Sequence, residues 1–344
     1  MTEWARMADA STILWPQAWV LGVAMLGAMA VDALWGEPAS RWHPVAWMGT
    51  MQAKLGRWMA PREPHEAQAH QEAQPPATSP SPTFQWMRGA AGWCLGLLPW
   101  LVLACFVQSM LLTLHWGWQC LLLALLLKPM LAWRMLRDES AAVEQALATS
   151  LDAGRERVKW LVSRDASALD ASGVRSAAIS TLAENLCDSV VAPLFWFAVA
   201  GLPGAVVYRW ANTADAMWGY RGARGGRVWT HAGHWAARTD DALNWIPARF
   251  TAILVWLVSH PASVRGLSSQ ARLTPSPNGG WTMGAMAMCV GITLNKAGVY
   301  TLHAGGRAPT ANDTARAITL AARAAWLASA SLASAMVAIS LSMG

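Results

Sequence analysis

The sequence predicts an all-α fold: a polytopic integral membrane protein, a helical bundle with one broken or re-entrant segment and cytoplasmic polar loops. Three observations predict it. Of 344 residues, 54% are hydrophobic and only 13% charged, about half the roughly 25% usual in soluble domains. Several uncharged stretches reach the roughly 20 residues that a helix needs to cross hydrocarbon. Many of the 23 Trp residues sit at the edges of these stretches, among them Trp15, Trp35, Trp116 and Trp133. An indole suits an interface because its ring is apolar and its N–H seeks water. The net charge of +6 is scattered between apolar segments, so it fits basic loops retained on the cytoplasmic side better than nucleic-acid binding.

The whole chain, 1–344, reads as one membrane domain. The first span lies near 12–34. Ala28-Met29-Ala30 imitates a signal-peptidase site, but the preceding Glu3, Arg6 and Asp9 do not make a basic leader, so a retained helix is expected. Residues 61–83 are rich in Pro, Gln and Glu with almost no apolar bulk. They cannot bury enough surface to offset ordering entropy and read as a disordered linker. Between Arg88 and Lys128 only His115 could carry charge. That length suits two spans, near 90–113 and 117–136, with a tight turn at His115-Trp116-Gly117-Trp118. Apolar residues at helical spacing among charges predict an amphipathic helix over 140–161.

The next segment, 190–210, is broken. Two short apolar halves flank Gly201-Leu202-Pro203-Gly204, and neither half can cross a bilayer alone. A single kinked span and a re-entrant hairpin both fit. The hairpin is favoured because it brings the polar stretches 134–189 and 209–249 to one membrane face, and backbone irregularity is tolerated where protein covers it. The seven Lys/Arg of 134–189 place that face in the cytoplasm of a multi-pass cell (inner) membrane protein. Further spans are expected near 249–264 and 320–342. The last is rich in Ala and Ser, which suits packing on other helices. The five Cys form no C-x-x-C pair and read as small core hydrophobes.

Polar residues gather in five clusters. They are Asp32 with Glu37 and His43; Arg164-Asp165; Glu184-Asn185 with Asp188; Asn212 with Asp215 and Tyr220; and Arg238 with Asp240, Asp241, Asn244 and Arg249. On a helix, Glu184 and Asp188 share a face, as do Asp240 and Asn244. Like charges at that spacing repel unless a cation lies between them. Converging carboxylates are therefore either neutralised by arginine as plain structure, or hold a hard cation. Oxygen-only ligands suit magnesium, and surrounding Arg175, Arg209, Arg238 and Arg249 suit a phosphate or carboxylate. His231 and His234 form H-x-x-H without a third ligand, and Gly280 and Gly284 form a helix-packing G-x-x-x-G. No phosphate-cradling glycine motif is visible.

These clusters resemble the integral-membrane adenosylcobinamide-phosphate synthase family of cobalamin biosynthesis. The pattern D-x-x-x-G-x-P…H-P-V is matched from Asp32 to Val45, and R-D-x-S by Arg164, Asp165 and Ser167. Ala183, Glu184, Asn185, Asp188 and Ala192 to Phe195 match A-E-N-x-x-D-G-x-x-A-P-L-F. Asn212, Thr213, Asp215, Met217, Gly219 and Tyr220 match N-T-x-D-S-M-x-G-Y. Ala237, Arg238, Asp240, Asp241, Asn244, Pro247, Ala248 and Arg249 match A-R-x-D-D-x-x-N-x-x-P-A-R. The similarity runs from about Asp32 to Gly280. The chain departs from the pattern at Ser180, where the family commonly has a second Glu, at Ser189 for Gly, at Ala216 for Ser, and in the loop beyond Asn278.

The resemblance implies an amide-forming ligase that joins (R)-1-aminopropan-2-ol or its O-phosphate to adenosylcobyric acid, using ATP and magnesium, with carboxylate activation through an acyl phosphate. On this reading Glu184, Asp188, Asp240 and Asp241 are catalytic, and Glu184, Asp188 and Asp215 hold magnesium. Asn185, Asn212, Tyr220, Arg238, Asn244, Arg249, His43, Arg164 and Asp165 contact substrate. The implied partners are a corrinoid, an amino alcohol, membrane lipid and other cobalamin-assembly enzymes. Two rivals compete: a non-catalytic paralogue that binds a corrinoid or a partner subunit, motivated by Ser180, and a transporter. A transporter would put ionisable residues inside long spans and often repeat its halves; here the acids sit at segment ends.

Overall fold

The computed structural model describes residues 17–63, 80–162, 165–259 and 265–343. Among the described residues the regular structure is helical apart from two short β-hairpins, Ala223–Arg224 with Arg227–Val228 (β1, β2) and Leu294–Lys296 with Tyr300–Leu302 (β3, β4). Its helices are α1 (Ala18–Trp35), α2 (Pro44–Met59), α3 (Pro82–Leu111), α4 (Trp116–Leu127), α5 (Trp133–Thr149), α6 (Leu151–Val158) and α7 (Ala171–Leu186). They continue with α8 (Ala192–Trp218), α9 (His234–Leu243), α10 (Trp245–Ser259), α11 (Leu267–Ala271), α12 (Gly279–Val290) and α13 (Ala311–Met343). By length and hydropathy five stretches could cross a membrane: Ala18–Trp35, Pro82–Leu111, Trp116–Thr149, Ala171–Trp218 and Ala311–Ser342. The bent pair α9–α10, with 46° between its parts, would make a sixth.

Helix α1 is the hub. Val20, Leu21, Ala24, Met25, Ala28 and Met29 are buried, and α4 and α13 pack on it. A Cβ on Gly22 would meet the Ala333 carbonyl at 2.9 Å, so the α1–α13 crossing depends on small residues, as helix contacts in lipid commonly do. The Ala-rich tail packs as expected: Ala317, Ala321, Ala324, Ala325 and Ala328 are buried. Gly89 of α3 lies tighter still, with a Cβ placed 2.0 Å from the Ala232 carbonyl. Gly89→Ala must push α3 off the turn before α9. Overpacking of this kind costs about 1–3 kcal/mol, so a lower unfolding midpoint in detergent is expected.

Several boundaries differ from the sequence reading. Residues 12–16 of the first span, 64–79 of the linker and 260–264 of the fifth span lie outside the described residues. The linker's two ends are built into the fold. Val228 N–H donates to Pro61 O at 3.0 Å, Glu63 N–H to Gly226 O at 3.0 Å, and α3 already begins at Pro82. The span expected over 117–136 breaks after Leu127 into a 3₁₀ turn, Lys128–Met130, where Pro129 interrupts the α pattern. The amphipathic helix therefore starts at Trp133 rather than 140. His115 caps α4, its Nδ1 accepting from Gly117 N–H at 3.3 Å. Gly280 and Gly284 do serve helix packing, with α11 against them.

Two irregularities shape the segment that positions the acids. Between α7 and α8 the chain makes a π turn, Cys187–Val191. Pro193 has no N–H to give the Ser189 carbonyl one turn back, and that oxygen instead accepts from Ala132 N–H at 3.0 Å. Further on, Ala200 (φ −139°, ψ 23°) and Gly201 (φ +59°, ψ −152°) leave helical geometry altogether. The chain reverses there. Tyr208 Oη donates to Asp188 O at 3.2 Å, and Arg209 Nη1 to the same oxygen at 3.3 Å. Along a continuous helix those residues would be about 30 Å apart, so the two arms must run side by side. The outgoing arm from Asp188 to Ala200 rises about 18 Å, short of the roughly 30 Å of a bilayer core. The segment is a helical hairpin.

Candidate functional site

The hairpin and the α9–α10 bend build one cavity of about 410 Å³. Five carboxylates line it: Glu184 from the last turn of α7, Asp188 from the π turn, Asp215 near the end of α8, and Asp240 and Asp241 from α9. Among the described residues its only lining cation is Arg221. The polar stretches before and after the hairpin therefore meet at a single site, as the hairpin reading requires.

Three of the acids are fitted in place by different devices, and the backbone of a fourth, Asp241, is tied down. Asp240 is buried and takes two hydrogen bonds from Asn244 Nδ2, at 3.1 and 3.2 Å, plus one from Asn212 Nδ2 at 3.3 Å. Asn244 Oδ1 in turn accepts from Tyr208 Oη at 2.9 Å. The i,i+4 pairing of Asp240 and Asn244 expected from the sequence is thus a direct contact. Asp215 is fitted against Gly219, where a Cβ would fall 2.0 Å from Asp215 Oδ1. Glu184 lies against Gly279 at the N-terminus of α12, with a Cβ there 3.1 Å from Oε1. Exposed N–H groups at a helix start favour a negative charge. Asn278 Nδ2 donates to Asp241 O at 2.8 Å.

A second, wider cavity of about 910 Å³ adjoins the first and shares Gly219, Arg221, Ala237, Asp241, Pro275 and Ser276 with it. Its charge is opposite: Arg221, Arg238, Arg249 and Arg272 line it together with His231 and His234. The Arg249 guanidinium lies between two indoles, 4.2 Å from the Trp245 ring centre and 4.8 Å from that of Trp281. It also donates to Asn278 Oδ1 at 3.3 Å. Arg238 Nε bonds His234 Nε2 at 3.2 Å. Such pre-set guanidinium groups suit phosphate or carboxylate oxygens.

Not every residue expected at the site reaches it. Tyr220 lines the basic cavity, with Arg224 4.0 Å over its ring. Asn212 and Asn244 support Asp240, and their amide groups are already used. Asn185 turns back on its own helix, donating to Thr181 O at 3.0 Å. His43 caps α2 and bonds Glu37 at 2.7 Å, in a separate buried cluster where Lys128 Nζ stands 3.0 Å from Asp32 and 3.2 Å from Glu37. Asp165 lies at the start of an exposed turn, capped by Ser167 N–H at 2.9 Å and Oγ at 2.8 Å. Those bonds hold its carboxyl below the usual carboxylate range. Arg164 lies outside the described residues, and Arg175 pairs with Glu144 away from the cavity.

The structure also adds residues that spacing did not single out. Cys187, Ser276, Asn278, Gly279 and Thr282 line the acidic cavity, and Arg221 and Arg272 the basic one. The run Ser276-Pro277-Asn278-Gly279-Gly280 was the one available signal for the loop before α12. Cys187 sits between two site acids in sequence and would have been found only by assuming that the π turn exposes it.

Comparison with known proteins finds relatives along most of the chain. The chain is 38% identical over 322 residues to a protein of Chromobacterium violaceum named "Cobalamin biosynthesis protein CobD", covering 90% of this chain and 95% of that one. A protein of the same name from Stutzerimonas stutzeri is 38% identical over 307 residues, 87% of this chain and 92% of the relative. The "Probable cobalamin biosynthesis protein CobD" of Methanothermobacter thermautotrophicus is 34% identical over 289 residues, 81% and 85% of the two chains. No solved structure matches. The family model described as "CobD/Cbib protein" matches residues 25–328, a range that contains every cavity acid and every cavity arginine, and the chain belongs to that family.

Proposed function

We propose that this protein acts in cobalamin biosynthesis as an ATP-dependent amide ligase, joining (R)-1-aminopropan-2-ol or its O-phosphate to adenosylcobyric acid. The observation that carries the reading is the juxtaposition of an acid-lined cavity and an arginine-lined one that share Asp241 and Arg221. An amide ligation needs both halves. Anionic groups must be held still, and an amine that arrives as an ammonium must lose its proton before it attacks.

The donor set fits magnesium. Five carboxylates face a single guanidinium in the inner cavity, a charge balance that favours entry of a cation. Among the described residues no three His, Cys, Asp or Glu side chains stand close enough to form a finished metal cage. Magnesium rarely needs one, because it keeps waters and takes one or two carboxylates plus substrate phosphates. Glu184, Asp188 and Asp215 are the proposed holders. When bound, the ion neutralises charge on phosphate oxygens. Arg221, Arg238, Arg249 and Arg272 would grip phosphate or propionate from the wider cavity. Asp241, common to both cavities, is the proposed base for the ammonium, with Asp240 fixed beside it.

The test is mass analysis of products from adenosylcobyric acid, ATP and magnesium with each amine in turn. A mass gain of one amine less one water supports ligation. Corrinoid binding without any product favours the non-catalytic reading. Ser180, the departure that motivates that rival, is buried on α7 and does not line the acidic cavity, so the missing family Glu leaves all five cavity acids in place.

Gly219→Ala probes the metal side. Its new Cβ would fall 2.0 Å from Asp215 Oδ1 and 2.8 Å from the Asp215 backbone carbonyl, so it displaces the carboxylate and shifts the end of α8. The expected result is a higher magnesium requirement together with a lower unfolding midpoint, read from a magnesium titration of turnover and from thermal unfolding. An unchanged requirement would take Asp215 out of the proposed metal set.

A further inference from the structure

We propose that a third cavity, on the opposite side of the hairpin's returning arm, is a lipid site. It takes one acyl chain of a bilayer glycerophospholipid. The cavity measures about 580 Å³, within the roughly 300–1,000 Å³ of small-ligand sites. Its walls come from α1 (Val31, Trp35), α2 (Trp47, Met48), α3 (Leu103, Val107) and α4 (Leu125, Leu126).

Its position selects the occupant. Trp35, Trp47, Leu103, Leu125 and Leu126 line the cavity and are also exposed on the outer surface. They continue the apolar belt of Leu98, Val102, Phe106 and Leu121 on helices long enough to span a bilayer. The mouth therefore opens where acyl chains are the solvent. A corrinoid, with its many amide arms, would find almost no polar partners along these walls.

The floor of the cavity is closed. Lys128 and Glu37 line it, but Lys128 Nζ and Glu37 Oε1 are enclosed, with no surface left for a ligand, and the ammonium lies 3.0 Å from Asp32 and 3.2 Å from Glu37. An acyl chain would rest on the apolar walls and leave its head group outside. The phosphate would then lie at the rim, where Arg41 stacks on the cavity residue Trp42 with 5.9 Å between guanidinium carbon and ring centre.

Leu202 and Val206 of the returning arm form the inner wall. Tyr208 and Arg209, a few residues on, clasp the Asp188 carbonyl. A chain in this cavity thus braces the arm that fixes the acidic site.

The test uses the full-length protein in nanodiscs that carry a phosphatidylcholine with a photoreactive diazirine in its acyl chain. Labelling is expected to concentrate at Val31, Leu103 and Leu125. Leu98, equally lipid-exposed on α3 but outside the cavity, is the internal control. Leu103→Trp, a half-exposed position that fills the mouth without disturbing the core, should lose most of the cavity labelling; Leu98→Trp should not. Equal labelling of Leu98 and Leu103 would reduce the site to ordinary annular lipid and overturn the proposal. Displacement of the probe by adenosylcobyric acid would overturn it too, making the cavity a substrate site.

Discussion

Asp241→Asn is expected to lower amide formation by about 10²–10⁴-fold, the usual worth of a positioned general base, with no loss of folded protein. Asp241 lines both cavities, and Arg221 and Arg238 are its charged neighbours. The substitution keeps shape and removes only the capacity to take a proton. Its neighbour gives the contrast. Asp240 is buried and accepts three amide hydrogen bonds. Asp240→Asn replaces a charged acceptor with an amide that must share those donors, and bonds to charged groups are worth about 1.5–3 kcal/mol. It should lower both turnover and the unfolding midpoint. Product mass analysis and thermal unfolding, run on both variants, separate the two roles. Wild-type turnover in Asp241→Asn would remove that residue from the reaction.

The contrast between these adjacent aspartates marks where sequence reasoning stops. Helical spacing fixes neighbours within one element, so the Asp240–Asn244 pairing and the common face of Glu184 and Asp188 were legible. The Gly-Leu-Pro-Gly break was legible too, because local backbone chemistry dictates it. Contacts between elements were not. Nothing in the spacing of Asn212, Tyr208 and Asp240 says that they form one bonded chain, since that depends on the 219–233 connection folding α9 back against α8. His43 and Asp165 show the converse case. Both sit in motif-like stretches, yet His43 caps α2 against Glu37, and Asp165 caps its own turn. A motif marks a fixed local structure as readily as a reacting group. The turn at Lys128-Pro129 was hidden for another reason: an uncharged run masks a break when the breaker lies at its end.

Gly201 carries the second large expected effect, because the acidic site exists only if the hairpin closes. At φ +59° and ψ −152° its backbone is nearly closed to L side chains, a conformation that costs on the order of 1–3 kcal/mol for any residue but glycine. A Cβ there would also fall 2.3 Å from Gln108 Oε1. That oxygen accepts the Leu202 N–H at 2.8 Å, the bond that ties the turn to α3. Gly201→Ala should therefore lose both backbone ease and the Gln108 contact, and Gln108→Leu the contact alone, leaving a buried N–H unpaired at about 1–3 kcal/mol. Each should lower the unfolding midpoint. Each should also lower turnover without touching an acid, since Tyr208 and Arg209 reach the Asp188 carbonyl only when the arms lie together. Because both changes break the same bond, the double variant should lose less stability than the two single losses summed. Strict additivity would mean that the turn is held by glycine's backbone alone, with Gln108 acting elsewhere, and would leave the tie between α3 and the site without support.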